Sequence, residues 1–256
     1  MDVRRFHAAV QLTVVIPTYN EAENLPRLSA ALFALPLPDL KILVVDDDSP
    51  DGTGKVADAL AAEYPGRFEV LHRTEEKGFG KAYIAGFRYA LAGGAQVIGQ
   101  MDADLSHPPE LLPQLVDALH DSDVALGSRY VPGGSVDERW PAWRKSLSSF
   151  GNFYARTILN LPVRDVTGGY RVWQRSALQN IPFERVRSNG YAFLIETLFL
   201  AYRLGYTFEQ IPFYFADRRF GQSKMSLKVQ REAALRVWQM RWEYRDIQPV
   251  KEHASA

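Results

Sequence analysis

Two aspartates one residue apart, Asp102 and Asp104, follow the short apolar run Gln96–Met101. Carboxylates at that spacing, delivered just past a buried strand, can both turn toward one hard cation. Mg2+ or Mn2+ takes one or two protein carboxylates and fills its shell with water and phosphate oxygens. Such an ion assists departure of a diphosphate, because Lewis-acid contact stabilises the growing negative charge by several kcal/mol. The spacing alone is not selective. Asp46-Asp47-Asp48 and Asp121-Ser122-Asp123 share it, and the latter precedes a strand-like run instead of following one. Position singles out Asp102 and Asp104.

The stretch Asp46-Asp47-Asp48-Ser49-Pro50-Asp51-Gly52-Thr53 has two readings. Asp and Ser favour an Asx-type turn and the N-terminus of a following helix. An acidic group after a second strand also holds ribose hydroxyls in dinucleotide folds, so Asp46 or Asp47 is a candidate for a nucleoside. Gly52-Thr53-Gly54-Lys55 has Val56 where a phosphate loop needs Ser or Thr, and Lys77-Gly78-Phe79-Gly80 fails the dinucleotide frame. His107, three residues after Asp104 and before Pro108-Pro109, is either a metal ligand or a packing residue at a helix start. Loop cations Arg129, Arg139, Arg144, Arg164, Arg171, Arg218, Arg219 and Lys224 form a further set. A guanidinium suits bidentate phosphate contact, whereas lysine acts as a point charge. Nothing in the sequence has a Ser/His/Asp or Cys/His nucleophile arrangement.

These residues need a scaffold that gathers them. Gln11–Pro17, Lys41–Val45, Phe68–His72, Gln96–Met101 and Asp123–Gly127 are short apolar runs suited to strands buried on both faces. Helical stretches at about 22–34, 54–63, 81–92 and 109–121 alternate with them. The βα alternation predicts an α/β fold with a mostly parallel sheet flanked by helices. Right-handed crossovers then bring Pro17–Glu21, Asp46–Thr53 and Asp102–Asp104 to one sheet edge, where open α/β folds bind ligands. Farther on, Tyr130–Arg144 reads as a Gly/Pro-rich loop, Trp143–Leu159 as a helix and Asp165–Trp173 as a strand with a glycine bend. Gly190–Leu204 and Ser226–Tyr244 read as helices, and Tyr206–Ala216 as a strand and turn.

Thirty basic residues balance thirty acidic ones, which gives no case for nucleic-acid binding. The chain has no cysteine, so disulfides and thiolate metal sites are excluded. MDVRRFHAAV is followed by no long apolar stretch, so no signal peptide is expected, and no run of about 18 apolar residues predicts a membrane span. In the last helix Leu227, Ala234, Leu235, Trp238 and Trp242 share a face, while Lys228, Arg231, Arg236, Arg241 and Arg245 make it basic. It lies either at a membrane surface or docked on its own domain.

As an ordered set the motifs resemble the family-2 glycosyltransferases, and among them the polyprenol-phosphate (dolichol-phosphate) mannose synthases. The residues that carry the resemblance are Val15–Glu21, Val44–Thr53, Met101–Pro108, Gly127-Ser128-Arg129-Tyr130, Thr167-Gly168-Gly169-Tyr170-Arg171 and Asp217–Met225. The resemblance implies a Rossmann-like GT-A domain over 1–225 and an amphipathic C-terminal helix and tail over 226–256. It implies transfer of mannose from GDP-mannose to a polyprenyl phosphate with inversion. By analogy, Pro17, Tyr19, Glu21, Val44 and Asp46 or Asp47 hold the nucleoside. Asp102, Ala103 and Asp104 meet the diphosphate and a Mg2+ or Mn2+ ion, with Ser106 near a third ligand position. Arg129 and Arg144 receive the acceptor phosphate, Arg129 also lies on the donor side, and Arg218 and Lys224 grip the donor diphosphate. Without a span, the chain is expected at the cytoplasmic face of a membrane as a peripheral protein, through an interfacial helix or a separate anchoring protein. A sister enzyme that transfers glucose or another sugar, a nucleotidyltransferase (whose glycine-rich phosphate loop near the N-terminus the sequence lacks) and a catalytically silent nucleotide-binding module are the alternatives.

The acceptor has a further consequence. A phosphate monoester, with a second pKa near about 6, is already an anionic nucleophile at neutral pH. No indispensable general base is then expected, and Glu196 and Asp165 are the residues that would challenge this.

Overall fold

A computed structural model describes residues 11–216 and 227–250, the second span with side chains from residue 234 onward. The first half follows the alternation: β1 (Leu12–Thr18), α1 (Leu25–Phe33), β2 (Leu40–Asp46), α2 (Thr53–Glu63), β3 (Phe68–His72), α3 (Phe79–Ala92) and β4 (Val97–Gln100). Helix α4 (Leu112–Asp117) is shorter than the expected 109–121, being flanked by 3-10 turns at Pro109–Leu111 and Ala118–His120. Pro113, in its first turn, has no N–H to extend an α ladder back to Pro109. Then come β5 (Val124–Ser128), β6 (Ser135–Val136), α5 (Ala142–Leu159), β7 (Arg171–Gln174), α6 (Arg175–Gln179), α7 (Ala192–Arg203), β8 (Phe208–Pro212), β9 (Tyr214–Phe215) and α8 (Leu227–Glu243).

Among the described residues the main sheet has the order β3-β2-β1-β4-β7-β5-β8, and β6 pairs with β9. Strands β1, β2, β3 and β4 are parallel, as are β5 and β8. Strand β7 departs from the parallel expectation: it runs antiparallel between β4 and β5, with Arg171 opposite both Gln100 and Leu126. Because it enters from the opposite end, the Gly168-Gly169 bend before it meets the C-terminal edge of the parallel strands. Side chains that alternate along the strands fill two cores. Val15, Leu43, Val45 and Ile98 pack with α3, α7 and α8, whereas Val14, Ile16, Ile42 and Val44 pack with α1, α2 and α4. Helix α8 joins the first core through Val237 and Met240, followed by Tyr244 just beyond its end. Among the described residues no helix is long and apolar enough to cross a membrane.

Candidate active site

Past β4, the chain turns through Asp102-Ala103-Asp104 under tight local control. The Asp102 N–H donates to Nδ1 of His107 at 3.1 Å, and the Tyr83 hydroxyl donates to Asp102 Oδ1 at 3.1 Å. His107 is buried and stacked on Tyr170, with ring centroids 5.0 Å apart. Of its two possible roles, the geometry gives it packing and support of the Asp102 backbone. Leu105 takes a left-handed conformation, φ 61°, which costs a non-glycine residue about 1–2 kcal/mol. That kink lets Ser106 reach back with its N–H at 3.0 Å and its hydroxyl at 2.5 Å, both to Asp104 Oδ1. Strain held by such bonds fixes the direction of the Asp104 carboxylate. Ala103 is buried between the two acids.

Tyr83, inside α3, lies in the field of both carboxylates. Its burial, the Asp102 charge and bond, and the Asp104 charge together push the phenol well above its ordinary value, so it remains a donor. Gly169 lies directly against this turn: a Cβ there would be in van der Waals contact, 3.6 and 3.7 Å from the Asp102 carboxylate oxygens and 3.4 Å from the His107 ring. A larger side chain there would fill the space in front of Asp102.

Arg129 follows β5 and is gripped by Asp165, which is fully buried. Its Nε and Nη2 donate to the two carboxylate oxygens at 2.7 Å each, its backbone N–H adds a bond at 3.0 Å, and Nη2 also reaches Thr167 Oγ1 at 2.9 Å. Burial opposes ionisation of Asp165, but the Arg129 fork prevails and holds its carboxyl below the usual range. The neighbouring glycines link this pair to the acidic turn: a Cβ at Gly168 would lie 3.3 Å from the Asp165 carboxyl, and one at Gly169 3.6 Å from Asp102 Oδ1. Asn152 of α5 locks this loop, accepting from the Val166 N–H at 2.9 Å and donating to Thr167 Oγ1 at 3.0 Å. Arg144, at the start of α5, lies over the Trp140 ring at 3.7 Å.

Arg171 has a different role from the other cations. It is fully buried, and its guanidinium donates to the carbonyls of Gly168, Leu194 and Val166. Burial lowers its pKa to about 9, which still leaves it charged at neutral pH. Glu196 is also buried, and it accepts from Arg236 and Tyr244. With Asp165 and Glu196 both committed to strong donors, neither offers the exposed carboxylate a general base requires.

On the β1–β2 side, Thr18 and Ser49 hydroxyls donate to Asp46 Oδ1 at 3.0 and 2.5 Å. Asp47 pairs with Arg73 at 2.5 Å and accepts from the Gly78 N–H at 2.6 Å. Asp51 takes the local turn role, accepting from Thr53 N–H at 3.0 Å and Ala22 N–H at 3.1 Å. Asp51 and Ser49 thus shape the turn, while Asp46 and Asp47, both buried, stand at the strand end. Pro17 is half-buried, Tyr19 exposed, and Glu21 bonds Thr53 Oγ1 through its N–H at 2.9 Å. Val44 is not brought to this edge; it is fully buried mid-strand. Arg218 and Lys224 lie outside the described residues. A cavity of ≈ 320 Å3 beside Asp46, lined also by Ser49, Gly54, His72 and Arg73, is separate from the Asp102 turn.

The edge therefore joins Asp102, Asp104, Tyr83, His107, Gly169 and Arg129. Tyr83, Asn152 and Arg171 as a buried charge escaped the sequence reading, because a lone polar residue in an apolar helix or strand looks like ordinary packing. Asp102 and Asp104 supply hard oxygen donors that suit Mg2+ or Mn2+. Among the described residues no group of three or more His, Cys, Asp and Glu side chains could hold an ion. The remainder of such a shell must come from water and substrate oxygens, as is usual for Mg2+.

Comparisons with known proteins agree with this architecture. Glycosyl transferase family 2 matches residues 13–181. The chain is 46% identical over 225 residues to the polyprenol monophosphomannose synthase of Mycolicibacterium smegmatis, covering 88% of this chain and 84% of that protein. It is 44% identical to the undecaprenyl-phosphate mannosyltransferase of Micrococcus luteus, covering 91% and 97%. It is 37% identical to the dolichol-phosphate mannosyltransferase of Pyrococcus furiosus, covering 91% and 65%. The fold is similar, at TM-score 0.59 and 18% identity, to a mannosyltransferase from Pyrobaculum calidifontis solved with GDP-Man and Mn2+, covering 89% of this chain and 63% of that one. It is also similar, at TM-score 0.63 and 18% identity, to glucosyl-3-phosphoglycerate synthase from Mycobacterium tuberculosis solved with Mn2+ and UDP-glucose, covering 95% and 82%. With its acidic turn at the sheet edge and that match over most of its length, the chain belongs to glycosyl transferase family 2.

Proposed function

We propose that this chain transfers mannose from GDP-mannose to a polyprenyl phosphate, inverting the anomeric carbon and releasing GDP. The observation that carries the reading is the Asp102–Asp104 turn, fixed by Tyr83, His107 and Ser106. The names borne by the relatives support both the sugar and the acceptor class. Pro17, Tyr19, Glu21, Asp46 and Asp47 would hold the nucleoside, and Arg218 and Lys224 the diphosphate. Asp102 and Asp104, with Ser106 adjacent, would hold Mg2+ or Mn2+, which supplies charge stabilisation at the leaving diphosphate. An acceptor phosphate oxygen attacks the anomeric carbon as the bond to the diphosphate oxygen breaks. The acceptor arrives ionised, so the protein's contribution is position and charge rather than proton abstraction.

Arg129 and Arg144 would receive the acceptor phosphate. Arg129 is preset by Asp165, whereas Arg144, in the first turn of α5, is half-buried and stacked on the Trp140 ring. For Arg144→Ala, the expected result is a rise of about tenfold in acceptor KM, the loss of one charge-assisted phosphate contact, with little change in GDP affinity. Weakened GDP binding with an unchanged acceptor KM would move Arg144 to the donor side.

A lipid-borne acceptor also makes sense of the outer surface. Helix α5 turns Asn152, Ala155 and Leu159 inward, while Trp143, Phe150 and Phe153 are 68, 61 and 64% exposed. Helix α8 packs beside it, with Trp238 Nε1 donating to the Tyr154 hydroxyl at 3.0 Å, and exposes Leu235 and Trp242. Helix α5 has three cations and no carboxylate. Aromatic side chains fringed by Arg and Lys suit an anionic bilayer surface, and anionic lipid is concentrated in the cytoplasmic leaflet. We therefore read 1–225 as the catalytic domain and 226–256 as an amphipathic helix and tail, its helix packed on the domain core through Val237 and Met240, that with α5 meets the membrane at that face, alone or with a separate anchoring protein. Replacing Trp143, Phe150 and Phe153 together by Ser should weaken binding to anionic vesicles at least about tenfold while leaving GDP binding intact. Unchanged flotation with vesicles would remove the bilayer from this face.

The deciding assay incubates the purified protein with labelled GDP-mannose and polyprenyl phosphate and extracts a lipid-borne sugar. Transfer from UDP-glucose instead would assign the glucosyl sister activity. GDP binding without any transfer would leave a silent nucleotide module.

A further inference from the structure

The proposed chemistry leaves one buried carboxylate unused. Glu196, in the middle of α7, accepts from four donors: the Ser188 N–H at 2.8 Å, the Arg187 N–H at 3.3 Å, the Arg236 guanidinium and the Tyr244 hydroxyl. Arg236 extends the cluster, with Nε to Ser188 Oγ at 3.2 Å and Nη1 to Glu243 at 2.7 Å. A carboxylate this buried is tolerable only because paired and hydrogen-bonded donors replace its water. Those donors come from α8, from Tyr244 just beyond it and from the segment that precedes α7. Glu196 therefore makes residues 187–189 and α8 one unit against the domain.

The other side of that segment touches the β2 side of the sheet edge. Asn189 Oδ1 accepts from the Lys81 N–H at 3.4 Å. A Cβ at Gly78 would lie 2.2 Å from the Asn189 side chain, and one at Gly80 would lie 2.9 Å from the Ser188 carbonyl, so the segment sits directly on the start of α3. Gly78, at φ 136°, adopts a conformation that side chains rarely take, and from it donates to Asp47 Oδ2 at 2.6 Å. Its neighbour Lys77 pairs with Asp48 at 2.7 Å. A continuous set of contacts thus runs from Arg236 through Glu196, Ser188 and Asn189 to Gly78 and Asp47.

We propose that Glu196 is a positioning residue for the donor: with Arg236 it holds Ser188 and Asn189 against the start of α3, and so fixes the Gly78–Asp47 edge that receives the nucleoside diphosphate. This rests on the reading that Asp46 and Asp47 face the donor nucleoside. Glu196 does not touch the reacting atoms, and its effect is on donor affinity rather than on bond making.

Two variants test it, each measured by GDP titration with Mn2+ and by separate donor and acceptor KM values. Asn189→Ala removes the contact with α3 and leaves the buried ion cluster whole, so folding is not at stake. Glu196→Gln removes the charge at the centre. Both are expected to raise the GDP Kd and donor KM about fivefold to twentyfold, within the range of coupling through packed networks, while kcat and acceptor KM stay within about twofold. Should Glu196→Gln fail to fold, Asn189→Ala decides alone. A folded Asn189→Ala protein with wild-type GDP Kd and donor KM overturns the proposal, as does an equal rise in donor and acceptor KM. Wild-type protein that fails to bind GDP is a different result: it overturns the donor reading, and this assignment with it.

Discussion

Asp104→Asn is expected to lower kcat/KM about a hundredfold to a thousandfold, a loss of about 3–4 kcal/mol of transition-state stabilisation. The variant is well suited to the question because the fold should not notice it. An asparagine oxygen can still accept from the N–H and hydroxyl of Ser106, the two bonds that stabilise the Leu105 kink. What disappears is a negative charge at the end of β4, on the proposed ion-binding turn. Mn2+ should therefore tighten GDP binding to the wild type and have little effect on the variant. Thermal unfolding should coincide for the two proteins, which separates lost chemistry from lost structure. Excess chelator should reproduce the activity loss in the wild type. Full turnover in chelator would show that the two aspartates serve the turn and not an ion.

The first half of this chain is legible because each strand is an apolar run that ends in polar residues. Apolar Val14–Ile16 leads to Thr18, Ile42–Val45 to Asp46, and Ile98 to Asp102, and the parallel ladder then delivers all three ends to one edge. Strand β7 is not legible in this way. Arg171, Val172 and Trp173 occupy a central position in the sheet, yet a fully buried arginine interrupts the apolar pattern. Its charge is accommodated by the Val166 and Gly168 carbonyls of the loop just before it and by the Leu194 carbonyl of α7, and the α7 contact has no local signature. The same holds for Tyr83. Its spacing with Phe79 and Phe87 marks a core stripe, and only packing against β4 reveals that its hydroxyl meets Asp102. Asp165 and Glu196, candidate bases by composition, are reassigned by their partners. A carboxylate becomes structural when arginine and backbone donors surround it, and sequence spacing does not record that.

Arg129→Met tests the most strongly coupled of these pairs and should have the largest effect on stability. The methionine keeps much of the packing against the Tyr130 and Phe215 rings but removes three side-chain hydrogen bonds, two of them to a carboxylate with no exposure. Stranding a buried charge in this way costs about 3–5 kcal/mol. The pH dependence gives the test its sign. In the wild type the folded-state pKa of Asp165 is depressed, so its stabilising contribution is fully present above the unfolded value of about 3.9. That contribution is lost only as pH falls through the lower, folded value. Between pH 7 and 5 the pair should therefore leave wild-type stability flat. Without the fork, burial is opposed only by the backbone N–H of residue 129 and the more distant Arg171, and the Asp165 pKa should rise above the unfolded value. The folded variant then binds more protons than its unfolded chain, so its stability should increase as pH is lowered from 7 toward 5. Denaturant unfolding at the two pH values measures this difference directly. Arg129→Lys, which keeps the charge and loses the planar fork, should fall between wild type and Arg129→Met at pH 7. If Arg129→Met were as stable as wild type and equally insensitive to pH, Asp165 would owe its ionisation to Arg171 and the residue-129 backbone N–H, and the Arg129 side chain would be free to move with the acceptor.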